Sequence, residues 1–132
     1  MHLSFFGEYN VSEKKKLSPA CFNYVNHFRA VVAKGNYSNA LASLLPCFWV
    51  YEDVGKYISN SSVELNPYSK WISAYSNKEF TKSVNLMIKI TNQSLAGKTQ
   101  TEVDEAIKIF KTSTNFELKF WDDAYNLSIH EF

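Results

Sequence analysis

The chain has 132 residues, 45% of them hydrophobic and 20% charged, with a formal net charge of +1. That size and balance suit a single globular domain over residues 1 to 132 and exclude a disordered chain. The near-neutral charge argues against a nucleic-acid surface, which needs many Lys and Arg contacts to phosphate, and no run reaches the about 18 apolar residues of a membrane span.

Helix signals dominate the chain. Leu3, Phe5 and Phe6 sit in a short apolar stretch, residues 3 to 9, that reads as the end of a helix. The stretch has neither the basic start nor the long apolar run of a signal peptide. The basic run Lys14, Lys15, Lys16 reads as a solvated loop. Ser18-Pro19 is a cap followed by Pro at the first helical position, and Cys21, Tyr24, Val25, Phe28 and Val32 follow at helical spacing until Gly35. A second helix is expected from about Ser38 to Ile58, bent at Pro46, which lacks an N–H and frees the carbonyl of Ala42. "NSSVELNP" is a loop, and Asn66-Pro67 opens a short helix with one aromatic face, Tyr68, Trp71, Ile72 and Tyr75. Ser76-x-x-Glu79 reads as the capping box of the next helix, which ends near Gly97. Thr101-x-x-Asp104 reads as a weaker box opening a long last helix with the stripe Val103, Ile107, Phe110, Phe120, Ala124 and Leu127. No strand or hairpin signal competes, so the fold class is all-α, a helical bundle.

Two features interrupt the buried faces. Glu117 falls where the apolar stripe of the last helix should continue, and an ionised carboxylate there must be paired, hydrogen-bonded or neutralised. Ala40, Leu44, Cys47, Tyr51 and Val54 share one face of the bent helix, with Glu52, Asp53 and Lys56 off it. A cysteine on such a face is most often inert core; the bend at Pro46 either presents Cys47 to a cavity or only fits the bundle. Tyr24, Tyr51 and Tyr75 recur on inward faces, where they serve equally as core tyrosines or as the flat walls of a small-molecule pocket. Two cysteines make no disulfide framework, so free thiols in a reducing cytoplasm are expected. His2, His27 and His130 form no metal-binding spacing, so no metal and no cofactor is expected.

The segments "ALASLLPCFWVYEDVGK", "NPYSKWISAYSNKEF" and "FKTSTNFELKFWDDAYN", preceded by "SPACFNYVNHF", together resemble the TenA family, the thiaminase II or aminopyrimidine aminohydrolase group. The elements P-C-x-W-x-Y and E-x-x-F-W-D carry the resemblance. It implies an all-helical fold like that of haem oxygenase but without haem, a homo-oligomer (dimer or tetramer), and hydrolysis of aminopyrimidines, with thiamin as a further substrate, in thiamin salvage. By the resemblance Cys47 is the nucleophile, Glu117 the acid/base and Tyr51 the tyrosine that orients the cysteine. Tyr24, Tyr75 and Phe120 are then pocket residues for the ring. The chain is short for the family, whose members carry further helices before the point corresponding to Met1. The expectation is therefore a truncated bundle whose pocket is completed by association, with a degenerate scaffold or pyrimidine-binding subunit as the alternative. A transcriptional regulator is the least favoured reading, because no helix-turn-helix accompanies the near-neutral charge.

Overall fold

The computed structural model describes residues 2–11 and 16–127; Lys14, Lys15 and His130 lie outside the described residues. Every regular element among the described residues is a helix: α1 (His2–Glu8), α2 (Pro19–Ala33), α3 (Tyr37–Leu44), α4 (Pro46–Ser61), α5 (Ser69–Ser76), α6 (Lys78–Leu95) and α7 (Gln100–Tyr125). None is long and apolar enough to cross a membrane. The spine is α7, whose 26 residues reach about 39 Å at 1.5 Å per residue. It packs against α2, α3 and α4, while α6 lies along α3 and α4 and α5 fits against α4 and α6.

The helix boundaries show which capping signals compete successfully. The side chain of Ser18 accepts from the Cys21 N–H at 3.2 Å and Pro19 opens α2, as its sequence indicates. The last helix starts earlier than Thr101-x-x-Asp104 suggests. Thr99 and Glu102 form the reciprocal box, with the Thr99 N–H donating to Glu102 at 2.9 Å and the Glu102 N–H to Thr99 at 3.3 Å. A glutamate reaches back to the cap more easily than an aspartate, one methylene shorter. Asn77, not Ser76, caps α6 by accepting from Phe80 N–H at 2.9 Å. Asn36 likewise caps α3, leaving Ser38 buried and donating to the Ser94 carbonyl at 2.7 Å. Asn66 holds a turn, accepting from Tyr68 N–H at 2.9 Å, and α5 begins at Ser69.

The expected bent helix is two helices sharing Leu45, whose dihedrals remain helical (φ −54°, ψ −37°). Pro46 cannot donate to the ladder, so α3 ends before it and α4 begins at it. Leu45 still donates to Leu41 at 2.9 Å, and its carbonyl accepts from both Phe48 and Trp49 at 3.0 and 3.1 Å. The result is a break in the hydrogen-bond ladder just before Cys47, with no loop between the two helices.

The core is built from small residues as much as large ones. Ala20, Val31, Ala42, Leu45, Ile72, Tyr75, Val84 and Ala106 are buried, and so are Ser38, Asn39, Ser43, Glu52, Thr91, Ser113 and Glu117. Three expectations are corrected here. Val25 and Val32 are exposed while Ala20 and Val31 face inward. On α7 Ile107 is exposed, Leu127 lies exposed beyond the end of the helix, and the inward line runs Ala106, Ser113, Glu117. Glu52, placed off the buried face by spacing, is 5% exposed. The common reason is that α2, α4 and α7 each touch neighbours over small side chains, where the closest approach of two helices, not hydrophobicity, selects the inward positions.

Candidate active site

Three helices bring the polar group of interest together. Tyr24 projects from α2, Cys47 from the first turn of α4 and Glu117 from the middle of α7. The height of α2 is set at its N-terminus, where Ala20 N–H donates to the Asp123 carboxylate of α7 at 2.7 Å. A carboxylate there also matches the positive end of the helix. Phe116, the neighbour of Glu117, then stacks on Tyr24 with centroids 5.8 Å apart.

The Tyr24 hydroxyl donates to the Ser43 carbonyl at 2.9 Å and lies 3.2 Å from Cys47 Sγ. Burial pushes the Cys47 thiol up to about 12, the Tyr24 hydroxyl offsets part of that, and the nearby Glu117 charge pushes it further up. Cys47 is therefore a thiol at neutral pH and needs a base to become a nucleophile. Glu117 is 3% exposed. Burial raises its carboxyl above the ordinary range, and interactions with the Cys47 thiol and the Tyr51 hydroxyl offset this only in part. Burial, with the Glu117 charge second, also pushes Tyr51 up, and burial pushes Tyr24 up, so both phenols stay protonated and act as donors.

Aromatic rings wall this group on the α5 side. Tyr51 meets Tyr75 at 5.2 Å and Trp121 at 5.8 Å, and Trp71 meets Tyr75 at 4.7 Å. Tyr75 is buried and also meets Phe80 edge-on at 5.0 Å. Gly55 is what lets α5 come this close. A Cβ there would stand 2.8 Å from Tyr75 Cβ and 2.9 Å from its backbone carbon. Behind Trp71 and Trp121 lies an apolar cleft of about 460 Å³, walled also by Phe5, Tyr9, Ile58 and Tyr68. A larger concavity of about 790 Å³ between Tyr37 and Lys98 contains none of the cluster residues.

Of the residues singled out in the sequence, Tyr24, Cys47, Tyr51 and Glu117 form one interacting group, and Tyr75 joins it through Tyr51. The Phe120 ring meets Trp121 at 6.1 Å, and Trp121 in turn meets Tyr51 at 5.8 Å. Ser113 and Trp121 lie on the stripe of the last helix but, like Ser43 and Phe116, were not expected as site residues. Ser113 and Trp121 stand four residues to either side of Glu117, so the helical period through Glu117 points to both. No group of three His, Cys, Asp or Glu able to hold a metal occurs among the described residues. The arrangement offers a thiol, a buried carboxyl to exchange its proton, and aromatic faces for a flat ring.

Comparison with known proteins gives the same direction. The TENA/THI-4/PQQC family model matches residues 1–127. An aminopyrimidine aminohydrolase of Bacillus subtilis is 30% identical over 129 residues, which is 95% of this chain and 55% of the relative. One of Helicobacter pylori is 29% identical over 132 residues, 95% of this chain and 60% of the relative. A hydroxymethylpyrimidine/phosphomethylpyrimidine kinase of Saccharomyces cerevisiae is 25% identical over 114 residues, 85% of this chain and 21% of the relative. The chain thus spans a little over half the length of the two aminohydrolases.

Proposed function

We propose that this chain, which belongs to the TENA/THI-4/PQQC family, is a hydrolase that removes an amino group from aminopyrimidines in thiamin salvage. The single observation that carries the reading is the Tyr24–Cys47 contact at 3.2 Å beside the buried Glu117. Cys47 adds to the ring carbon that carries the amine, and its proton passes to Glu117. Glu117 gives that proton to the ring nitrogen and then passes it from there to the amine, so that ammonia leaves. Water adds to the same carbon, and one of its protons, carried by Glu117, goes to the departing sulfur to leave a hydroxypyrimidine and the free thiol. Tyr51 orients the carboxyl and thiol, Tyr24 serves the sulfur, and Tyr75 with Phe120 supplies the ring wall. Aromatic faces suit a flat heterocycle, and a carboxyl whose affinity for protons is raised by burial suits both directions of transfer. Thiamin is the second substrate in this reading.

The working unit is a single-domain, cytoplasmic homo-oligomer with no nucleic-acid partner. The exposed side chains of Val25, Val32 and Trp49 on α2 and α4 support association. A second reading, a pyrimidine-binding subunit without turnover, is favoured by one observation, the thiol pushed up to about 12. Ammonia release from aminomethyl-hydroxymethylpyrimidine separates the two. Turnover that falls to background in Cys47→Ala is expected; turnover unaffected by that change ends the mechanism. Absent turnover with a thermal midpoint raised by the pyrimidine selects the binding subunit.

A further inference from the structure

The hydrogen count in the cluster does not close. Tyr24 has one hydroxyl proton, and it lies on the Ser43 carbonyl, a group that can only accept. While it lies there, Tyr24 can accept from the Cys47 thiol 3.2 Å away but cannot stabilise a thiolate. If the proton turns to the sulfur, the phenol oxygen gains room for a donor.

Ser113 is placed to be that donor. It is fully buried on α7, four residues before Glu117 and on the same face. Its hydroxyl approaches that of Tyr24, yet completes no hydrogen bond in this arrangement. Its neighbours behave otherwise. Thr112 and Thr114 each donate to the carbonyl four residues back at 2.9 Å, the ordinary way for a helical hydroxyl to be satisfied. A buried hydroxyl that declines that bond is rare and calls for a reason.

We propose that Ser113 is a positioning residue for Cys47, donating to the Tyr24 oxygen when the Tyr24 proton turns from the Ser43 carbonyl to the sulfur. The S–H bond breaks and its proton forms an O–H on Glu117. The negative charge moves from carboxylate to sulfur, so the charge of the cluster is unchanged. Tyr24 keeps its proton and only rotates it; Ser113 keeps its own and fills the position vacated on the phenol oxygen. The inference rests on Cys47 being the reacting thiol.

The test is the pH dependence of Cys47 alkylation by iodoacetamide on the whole chain, read on the Cys47 peptide by mass spectrometry so that Cys21 does not contribute. No substrate is needed, so failure of the ammonia assay and failure of this inference are separate results. Ser113→Ala removes a hydroxyl that has no partner, and the thermal midpoint is expected to hold or rise. Its alkylation at pH 8 is expected to slow roughly ten-fold, the weight of one hydrogen bond relayed to a charged group. Ser113→Thr, which keeps the hydroxyl, is expected to retain the parent profile. In a Tyr24→Phe background Ser113→Ala is expected to add nothing. An unchanged profile in Ser113→Ala, or an equal slowing in both backgrounds, overturns the proposal.

Discussion

Glu52 on α4 and Glu117 on α7 are buried to nearly the same degree, 5% and 3% exposed, yet their surroundings drive them in opposite directions. Burial pushes the Glu52 carboxyl up, but hydrogen bonds from Lys56 and Thr81 and the Lys56 charge outweigh it, and the carboxyl is held below its ordinary value. Burial pushes Glu117 up in the same way, and its partners Cys47 and Tyr51 are uncharged and offset only part of that. A buried carboxylate one turn from a lysine is settled as an anion and ties its helix in place. One surrounded by neutral donors is held ready to take and return a proton. At Glu52 a charged partner outweighs burial; at Glu117 the neutral partners do not.

The largest expected effect breaks the comparison at Glu117. Glu117→Gln is expected to lower ammonia release by about 10²- to 10⁴-fold, the range for losing a general acid/base; a rate near the parent's would remove Glu117 from the chemistry. The same variant is expected to be the more stable protein at pH 8. A carboxyl raised in the folded state stabilises below its unfolded value and loses that contribution as pH rises through the folded one. The advantage of Gln in urea unfolding should therefore fade as pH falls toward 4.5, the ordinary value for the group.

Gly55 links the two regions, since it follows Glu52 by one turn and touches Tyr75 of the aromatic wall. Gly55→Ala forces α4 and α5 apart, because the atoms it would meet include the Tyr75 backbone carbon at 2.9 Å. Overpacking of this kind costs about 1–3 kcal/mol. It should lower the thermal midpoint and weaken pyrimidine binding together. A midpoint lowered with binding intact would show that the wall is not part of the site.

Glu52→Gln has the smallest expected effect and sharpens the contrast most. Losing a hydrogen-bonded partner of Lys56 should cost about 1–2 kcal/mol at pH 7, with little change in turnover. A carboxyl depressed in the folded state contributes stability above its unfolded value and loses it as pH falls through the folded one. Parent and variant should therefore converge in urea unfolding below pH 4.5. A stability difference that persists at pH 3 would mean that Glu52 acts through packing instead of charge.

Much of this was readable in advance, and the failures have particular causes. The helix break at Pro46, the helix ends at Gly35 and Gly97 and the all-α class follow from backbone chemistry that acts over a few residues. Gly35 and Gly97 adopt φ of +72° and +77°, which favours glycine whatever the surroundings. The capping residues at Asn36, Asn77 and Thr99 were each one or two positions from a plausible rival, and small differences in reach decide between such neighbours. The burial of Glu52 was not readable, because it depends on how other helices pack on α4, among them α6, whose Thr81 hydrogen-bonds the carboxylate.

The chemical roles expected of Cys47, Glu117 and the tyrosines came from a family resemblance, whereas the sequence by itself determined the all-helical class, the break at Pro46 and the helix faces those residues occupy. These depend on local capping, proline geometry and helical period, which involve residues within one or two turns. Only the tertiary structure decided which of them meet. Asp123 sets the height of α2, Gly55 admits Tyr75, and small residues let α7 approach α3. Cys47 and Glu117 owe their proton affinities to burial and to neighbours from other helices, whereas Glu52 also has a local partner in Lys56 of its own helix. Desolvation and charge act through space at a few ångströms, a distance that the order of residues along the chain does not encode.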